Sequence, residues 1–134
     1  MRNSFSGSQM QEQKLKKLKV QSPDDRLLNK VMKVINDNLG NPDLNVEMIA
    51  TEVGISRVHL HRKLKELTNQ STRDLIRNVR LKQAASLLAN QYHNITEVAS
   101  LTGFTNIAYF STAFKELYGV PPTSYMEEQQ KSSF

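Results

Sequence analysis

The chain has 134 residues, 38% of them apolar, and contains neither Trp nor Cys. That length supports one compact domain with a core of Leu, Val, Ile and a few Phe and Tyr, and the missing Cys excludes disulfides, thiol catalysis and cysteine zinc sites. The net charge of +5, from 18 basic and 13 acidic residues, favours a polyanion partner only if it is concentrated.

Residues 1–22 are rich in Ser, Gln and Lys, with Arg2, Lys14, Lys16, Lys17 and Lys19 against Glu12. They read as a flexible N-terminal tail or interdomain linker in which KLKKLK at 14–19 can form a short helix. A DNA-clamping arm and a membrane-surface segment are the alternatives. The first eight residues lack the apolar stretch of a secretory signal and no apolar run approaches a membrane span, so a soluble, cytoplasmic protein with no membrane partner is expected.

Ser22 ahead of Pro23, Asp24 and Asp25 is a helix start: a capping hydroxyl, Pro in the first turn and acids at the positive dipole end. Leu27, Leu28, Val31, Val34, Ile35 and Leu39 then mark one apolar face, which stops at Gly40-Asn41-Pro42. From 45 to 68, Val46, Ile49, Ala50, Val53, Ile55, Leu60, Leu64 and Leu67 keep helical spacing with one interruption at Gly54. A Gly between two short helices, with Ser56 to cap the second and the small Ala50 where they cross, is a helix-turn-helix pattern.

The pattern recurs at 94–118. Asn45, Ala50, Gly54 and Ile55 match Asn94, Ala99, Gly103 and Phe104 at an offset of 49, and Leu60, Leu64 and Lys65-Glu66-Leu67 match Phe110, Phe114 and Lys115-Glu116-Leu117 at 50, so the second turn holds one extra residue. Between the copies, Ser71 can cap a continuous linker helix at 71–89, marked by Leu75, Ile76, Val79, Leu87 and Leu88. Such a rod, about 27 Å long at about 1.5 Å per residue, suits two recognition helices in successive major grooves about 34 Å apart. Pro121-Pro122 opens a short closing helix, and 128–134 reads as a polar C-terminal tail. The fold class is therefore all-α, about seven helices, with two tandem helix-turn-helix units on a linker helix and a domain at 23–127.

Charge follows the first unit. Residues 57–82 hold Arg57, Arg62, Lys63, Lys65, Arg73, Arg77, Arg80 and Lys82 against Glu66 and Asp74, whereas two Lys face four Glu from residue 84 onward. Leu60, Leu64 and Leu67 are expected in the core, leaving Val58, His61, Arg62 and Lys65 outward.

The segments GISRVHLHRKLK at 54–65, IRNVRLKQAASLL at 76–88 and GFTNIAYFSTAFKELYGVPPTSY at 103–125 resemble the DNA-binding domain of AraC/XylS-type transcription regulators over about residues 23–127. The first-unit wording looks most like output domains fused behind a receiver in response regulators or hybrid sensor kinases. The resemblance implies sequence-specific binding of double-stranded DNA, with Val58, His61 and Arg62 reading bases in the first unit and Ile107, Ala108, Ser111 and Thr112 outward in the second. Arg62 is suited to guanine O6 and N7, and Val58 to a thymine methyl. Phosphate contacts are expected from Ser56, Arg57, His59, Lys65, Thr105, Asn106, Ser111, Lys115 and the recognition-helix amides, with Arg73 and Arg77 adding to them. Arg80 suits either a phosphate or an ion pair with a carboxylate such as Glu52 or Glu97. RNA polymerase and an upstream receiver or sensor domain are further partners compatible with this reading. Three positions depart from the family: Thr112 stands where Arg is frequent, Met126 follows the Tyr in place of Arg, and Asn69 replaces Gly.

No spacing of Ser, His, Asp or Glu suggests a catalytic site, and no cofactor or small-molecule ligand is expected. His59 and His61 lie about 200° apart around a helix, unsuited to sharing a metal. The rival reading is a helical protein-interaction module that has lost DNA binding. An RNA reader would expose stacking aromatics, whereas the aromatics here sit at core spacing.

Overall fold

The computed structural model describes residues 22–90 and 92–132. The expected tail at 1–21, with its KLKKLK stretch, lies outside them. Among the described residues there are seven helices and no strand: α1 Pro23–Asp37, α2 Val46–Val53, α3 Arg57–Thr68, α4 Thr72–Asn90, α5 Ile95–Leu101, α6 Ile107–Tyr118 and α7 Pro122–Ser132.

The helix starts are set by short polar side chains. Ser22 accepts from the Asp25 amide at 3.1 Å while the Asp25 carboxylate accepts from the Ser22 amide at 3.3 Å, a reciprocal cap with Pro23 in the first turn. Asn94 and Glu97 make the same box at α5. Asn45, Ser56, Ser71 and Asn106 accept from the amides of Met48, His59, Asp74 and Tyr109. Each cap occupies an amide that the helix leaves unpaired.

The repeat holds at the level of the backbone. Gly54 and Gly103 both take left-handed φ, 78° and 86°, and the next amides, of Ile55 and Phe104, donate back to the carbonyls of Ala50 and Ala99 at 3.1 and 2.8 Å. The αL bend and this return bond close the turn between the two helices of each unit. Asn69 and Gly119 end the recognition helices α3 and α6 in the same left-handed conformation, which Gly adopts without a Cβ penalty and Asn tolerates.

Two apolar cores form along α4. Its first half gives Leu75, Ile76 and Val79 to a cluster with Val31, Ile35, Ile49, Leu60 and Leu64. Its second half gives Leu81, Ala84, Ala85 and Leu88 to a cluster with Val98, Ala99, Phe104, Phe110 and Phe114. Each fully buried Leu, Val or Phe contributes about 1.5–3 kcal/mol, while exposed surface pairs such as Lys33–Asp37 add little. The cores therefore hold the fold. Burial pushes the Tyr118 hydroxyl above its usual pKa, as does the nearby Tyr125, in an aromatic group where Phe114 stacks on Tyr118 with ring centroids 4.6 Å apart.

Two elements differ from expectation. Leu67 is 36% exposed, not core: it lies on the last turn of α3, past the packed face, as does its repeat mate Leu117. The C-terminal helix continues to Ser132, through residues assigned to a polar tail, because Glu127, Glu128, Gln129, Gln130 and Lys131 are polar yet good helix formers.

Candidate nucleic-acid interface

The N-terminal half of α3 stands clear of the protein. With Leu60 and Leu64 fully buried, the 3.6-residue period turns Arg57, Val58, His61, Arg62 and Lys65 outward, and all are exposed. Val58 is 67% exposed, unusual for a β-branched apolar residue in a helix that has a core available. Among the described residues His59, His61, Arg62 and Lys65 enter no ion pair, while Arg57 meets Glu47 at 3.5 Å on the surface. A pair so exposed is weak enough to yield to a phosphate. Lys63 points the other way, to Asp24 of α1 at 3.3 Å, and so fastens α3 to the domain.

In the second unit, Ile107, Ala108 and Thr112 are exposed and Ser111 is half-buried. The Thr112 hydroxyl donates back to the Ala108 carbonyl at 3.0 Å, which leaves its methyl and oxygen lone pairs for an outside partner. Ser56 and Asn106 use a side-chain oxygen for capping, so only the Ser56 hydroxyl proton and the Asn106 amide nitrogen remain to donate outward.

Between the two turns runs an open groove of about 980 Å³. It brings together Arg57, Val58 and His61 of α3, Arg73 and Arg77 of α4, and Thr105 and Asn106 ahead of α6, over a floor that includes Leu44, Ile76 and Phe104; no carboxylate lines it among the described residues. Of the residues singled out in the sequence, Ser56, His59, Arg62, Lys65, Ile107, Ala108, Ser111, Thr112 and Lys115 lie outside this groove, on the recognition helices and the turn before α3. Arg77 leans toward Asp74 at 3.6 Å.

Residues 49–128 match the helix-turn-helix domain family. Over 127 residues the chain is 32% identical to an uncharacterized HTH-type transcriptional regulator in the cgkA 5′ region of Pseudoalteromonas carrageenovora, covering 95% of this chain and 70% of that protein. It is 31% identical to the C-terminal domain of AraT, a response regulator from Geobacillus stearothermophilus, with a TM-score of 0.72 over 81% of this chain and 88% of that one. It is also 35% identical over 106 residues to histidine kinase P4 of Formosa agariphila, covering 79% of this chain and 8% of that much longer protein.

The chain belongs to the AraC-type helix-turn-helix family. AraC-type helix-turn-helix domains belong to DNA-binding transcription regulators.

Within the AraC-type frame, two residues stand differently from the sequence reading. Tyr109 is 47% exposed on α6 and borders the groove, its ring 6.2 Å from Phe104; Tyr92 is exposed as well. The assignment of every aromatic to core spacing is therefore corrected. The signal for Tyr109 was its place between Ala108 and Ser111 on the outward side of α6. Arg80 is the other. It makes no pair with Glu52 or Glu97; its guanidinium donates to two main-chain carbonyls, Asn41 at 2.6 Å and Gly103 at 3.2 Å, and burial draws its pKa below the usual value.

Among the described residues no helix is long and apolar enough to cross a membrane, and no group of three or more His, Asp or Glu is placed to hold a metal ion.

Proposed function

We propose that this chain binds double-stranded DNA sequence-specifically, with α3 and α6 in adjacent major grooves of one DNA face, and that it is the output domain of a two-component regulator. The observation that carries the reading is the outward face of α3: exposed Val58, His61 and Arg62 beside a groove lined by Arg57, Arg73 and Arg77 with no carboxylate. Arg62 reads guanine and Val58 a thymine methyl; Ile107, Ala108 and Thr112 read through methyl contacts and groove shape. Ser56, Arg57, His59, Lys65, Arg73, Arg77, Thr105, Asn106, Ser111 and Lys115 hold phosphates and fix register. The 19 residues of α4 make a rod about 28 Å long, close to the spacing of successive grooves.

The similarity to a response regulator's C-terminal domain, and to a short part of a histidine kinase, supports placement behind a receiver or sensor domain in a cytoplasmic regulator that acts with RNA polymerase. Selection of bound sequences from a random duplex pool tests the reading. Enrichment of two short blocks about 10 base pairs apart, with salt-sensitive binding that is lost in Arg62→Ala, is expected. If no sequence is enriched, the reading becomes that of a helical protein-interaction module.

A further inference from the structure

Arg80 sits at the seam of the two cores. Its neighbours Val79 and Leu81 belong to the first and second clusters respectively, and Arg80 itself is only 9% exposed. Its two donated bonds run in opposite structural directions: one to Asn41, in the loop between α1 and α2 of the first unit, the other to Gly103, in the turn of the second. Its Nε is buried without a partner, and no carboxylate pairs with it among the described residues. A long side chain that loses rotamer freedom, and a charge that loses water, are costly arrangements, so the site is specialised and not mere filling.

The backbone closes on it from both sides. A Cβ on Gly103 would lie 2.5 Å from the Leu39 carbonyl oxygen and 2.8 Å from the central guanidinium carbon of Arg80. A Cβ on Gly40 would lie 3.2 Å from the Leu101 carbonyl oxygen. The loop after α1 and the turn after α5 thus meet main chain to main chain, at glycines, with the planar guanidinium bonded to both.

We infer that Arg80, with Gly40 and Gly103, is a brace that fixes the second reading head relative to the first and so sets the half-site spacing this chain accepts. The linker helix alone fixes distance; the brace adds rotation about and bending across the seam. One extra base pair moves the far groove by about 3.4 Å and turns it by about 35°, so a braced pair of units tolerates such a change poorly and an unbraced pair tolerates it better. Arg80 is a positioning residue: it lies at the base of the groove, with its guanidinium engaged by two main-chain carbonyls. The inference rests on the two-groove reading above, and its first test needs no DNA.

The chain lacks Cys, so Glu66→Cys and Glu116→Cys place spin labels at equivalent exposed positions of α3 and α6. One narrow label-to-label distance is expected in the otherwise native chain, and a broadened distribution once Arg80→Met is added, with helix content unchanged. The second test titrates the full chain, with and without Arg80→Met, on selected DNA whose spacer is changed by one or two base pairs. In the native chain one base pair costs about tenfold or more in affinity; in Arg80→Met that penalty shrinks severalfold, a flattening that mere destabilisation would not give. Should Arg80→Met fail to fold, Arg80→Lys is read the same way, since a single ammonium cannot reproduce the two-carbonyl fork. An unchanged distance distribution overturns the brace, and a broadened distribution with an unchanged spacer profile overturns its role in reading. If no DNA is bound specifically, the two-groove reading fails and the label distances still decide the brace.

Discussion

Asn45, Ser56 and Asn69 cap the helices of the first unit as Asn94, Asn106 and Gly119 do in the second, and Gly54 and Gly103 both bend left-handed, although Thr102 caps the helix ahead of Gly103. The outward positions that follow are unlike: Arg57, Val58, His61 and Arg62 correspond to Ile107, Ala108, Ser111 and Thr112. Caps and turns fix where a recognition helix points, while the residues it presents are free of that duty and can diverge. One recognition helix presents a cationic face and the other a nearly neutral one, on a common frame. The cores diverge too, from aliphatic around Leu60 and Leu64 to aromatic around Phe110 and Phe114.

The largest expected effects test whether the units stand or fall together. Phe110→Ala should cost about 3–5 kcal/mol and Leu60→Ala about 2–5 kcal/mol. If α4 couples the cores, denaturant unfolding of each variant stays a single transition; two separated transitions would mean that the units are independent. Next in size is the asymmetry of reading. Arg62→Ala is expected to weaken specific binding by about 1–3 kcal/mol and Thr112→Ala by less than about 1 kcal/mol, both by titration on selected DNA; equal losses would remove the distinction between the units. Thr112→Arg should narrow the gap by adding charge to the second reader. Lys65→Ala is expected to lower the slope of log affinity against log salt by about 1, to a similar degree on specific and scrambled duplexes. Smallest is Asn69→Gly, which relieves a left-handed non-Gly residue and should raise stability by up to about 1 kcal/mol with DNA affinity unchanged. A loss of stability there would mean that the Asn69 side chain contributes something beyond its backbone.

Much of this was legible in sequence because it depends on local chemistry. Gly54 and Gly103 needed only their place between two apolar periods, and Ser22, Ser56 and Ser71 needed only the helix that follows them; the caps at Asn45, Asn94 and Asn106 came from the structure. The repeat then made the architecture readable as a pair. What escaped was settled by tertiary geometry. For Arg80 the sequence offers a phosphate or a carboxylate, because charge is visible in a sequence, whereas the carbonyls it binds belong to every residue and carry no signature. Leu67 kept the apolar period but stands 36% exposed on the last turn of α3. Tyr109 was grouped with Phe104 and Phe110 by type, although its register turns it to the surface.

The aromatic character of the second core has an optical consequence. The chain has no Trp, and its four Tyr, at 92, 109, 118 and 125, all lie in its second half. Tyrosine emission is therefore a built-in reporter of one unit alone: it will follow the melting of α6 and α7, or quenching of Tyr109 by an added duplex, while the cationic unit stays dark.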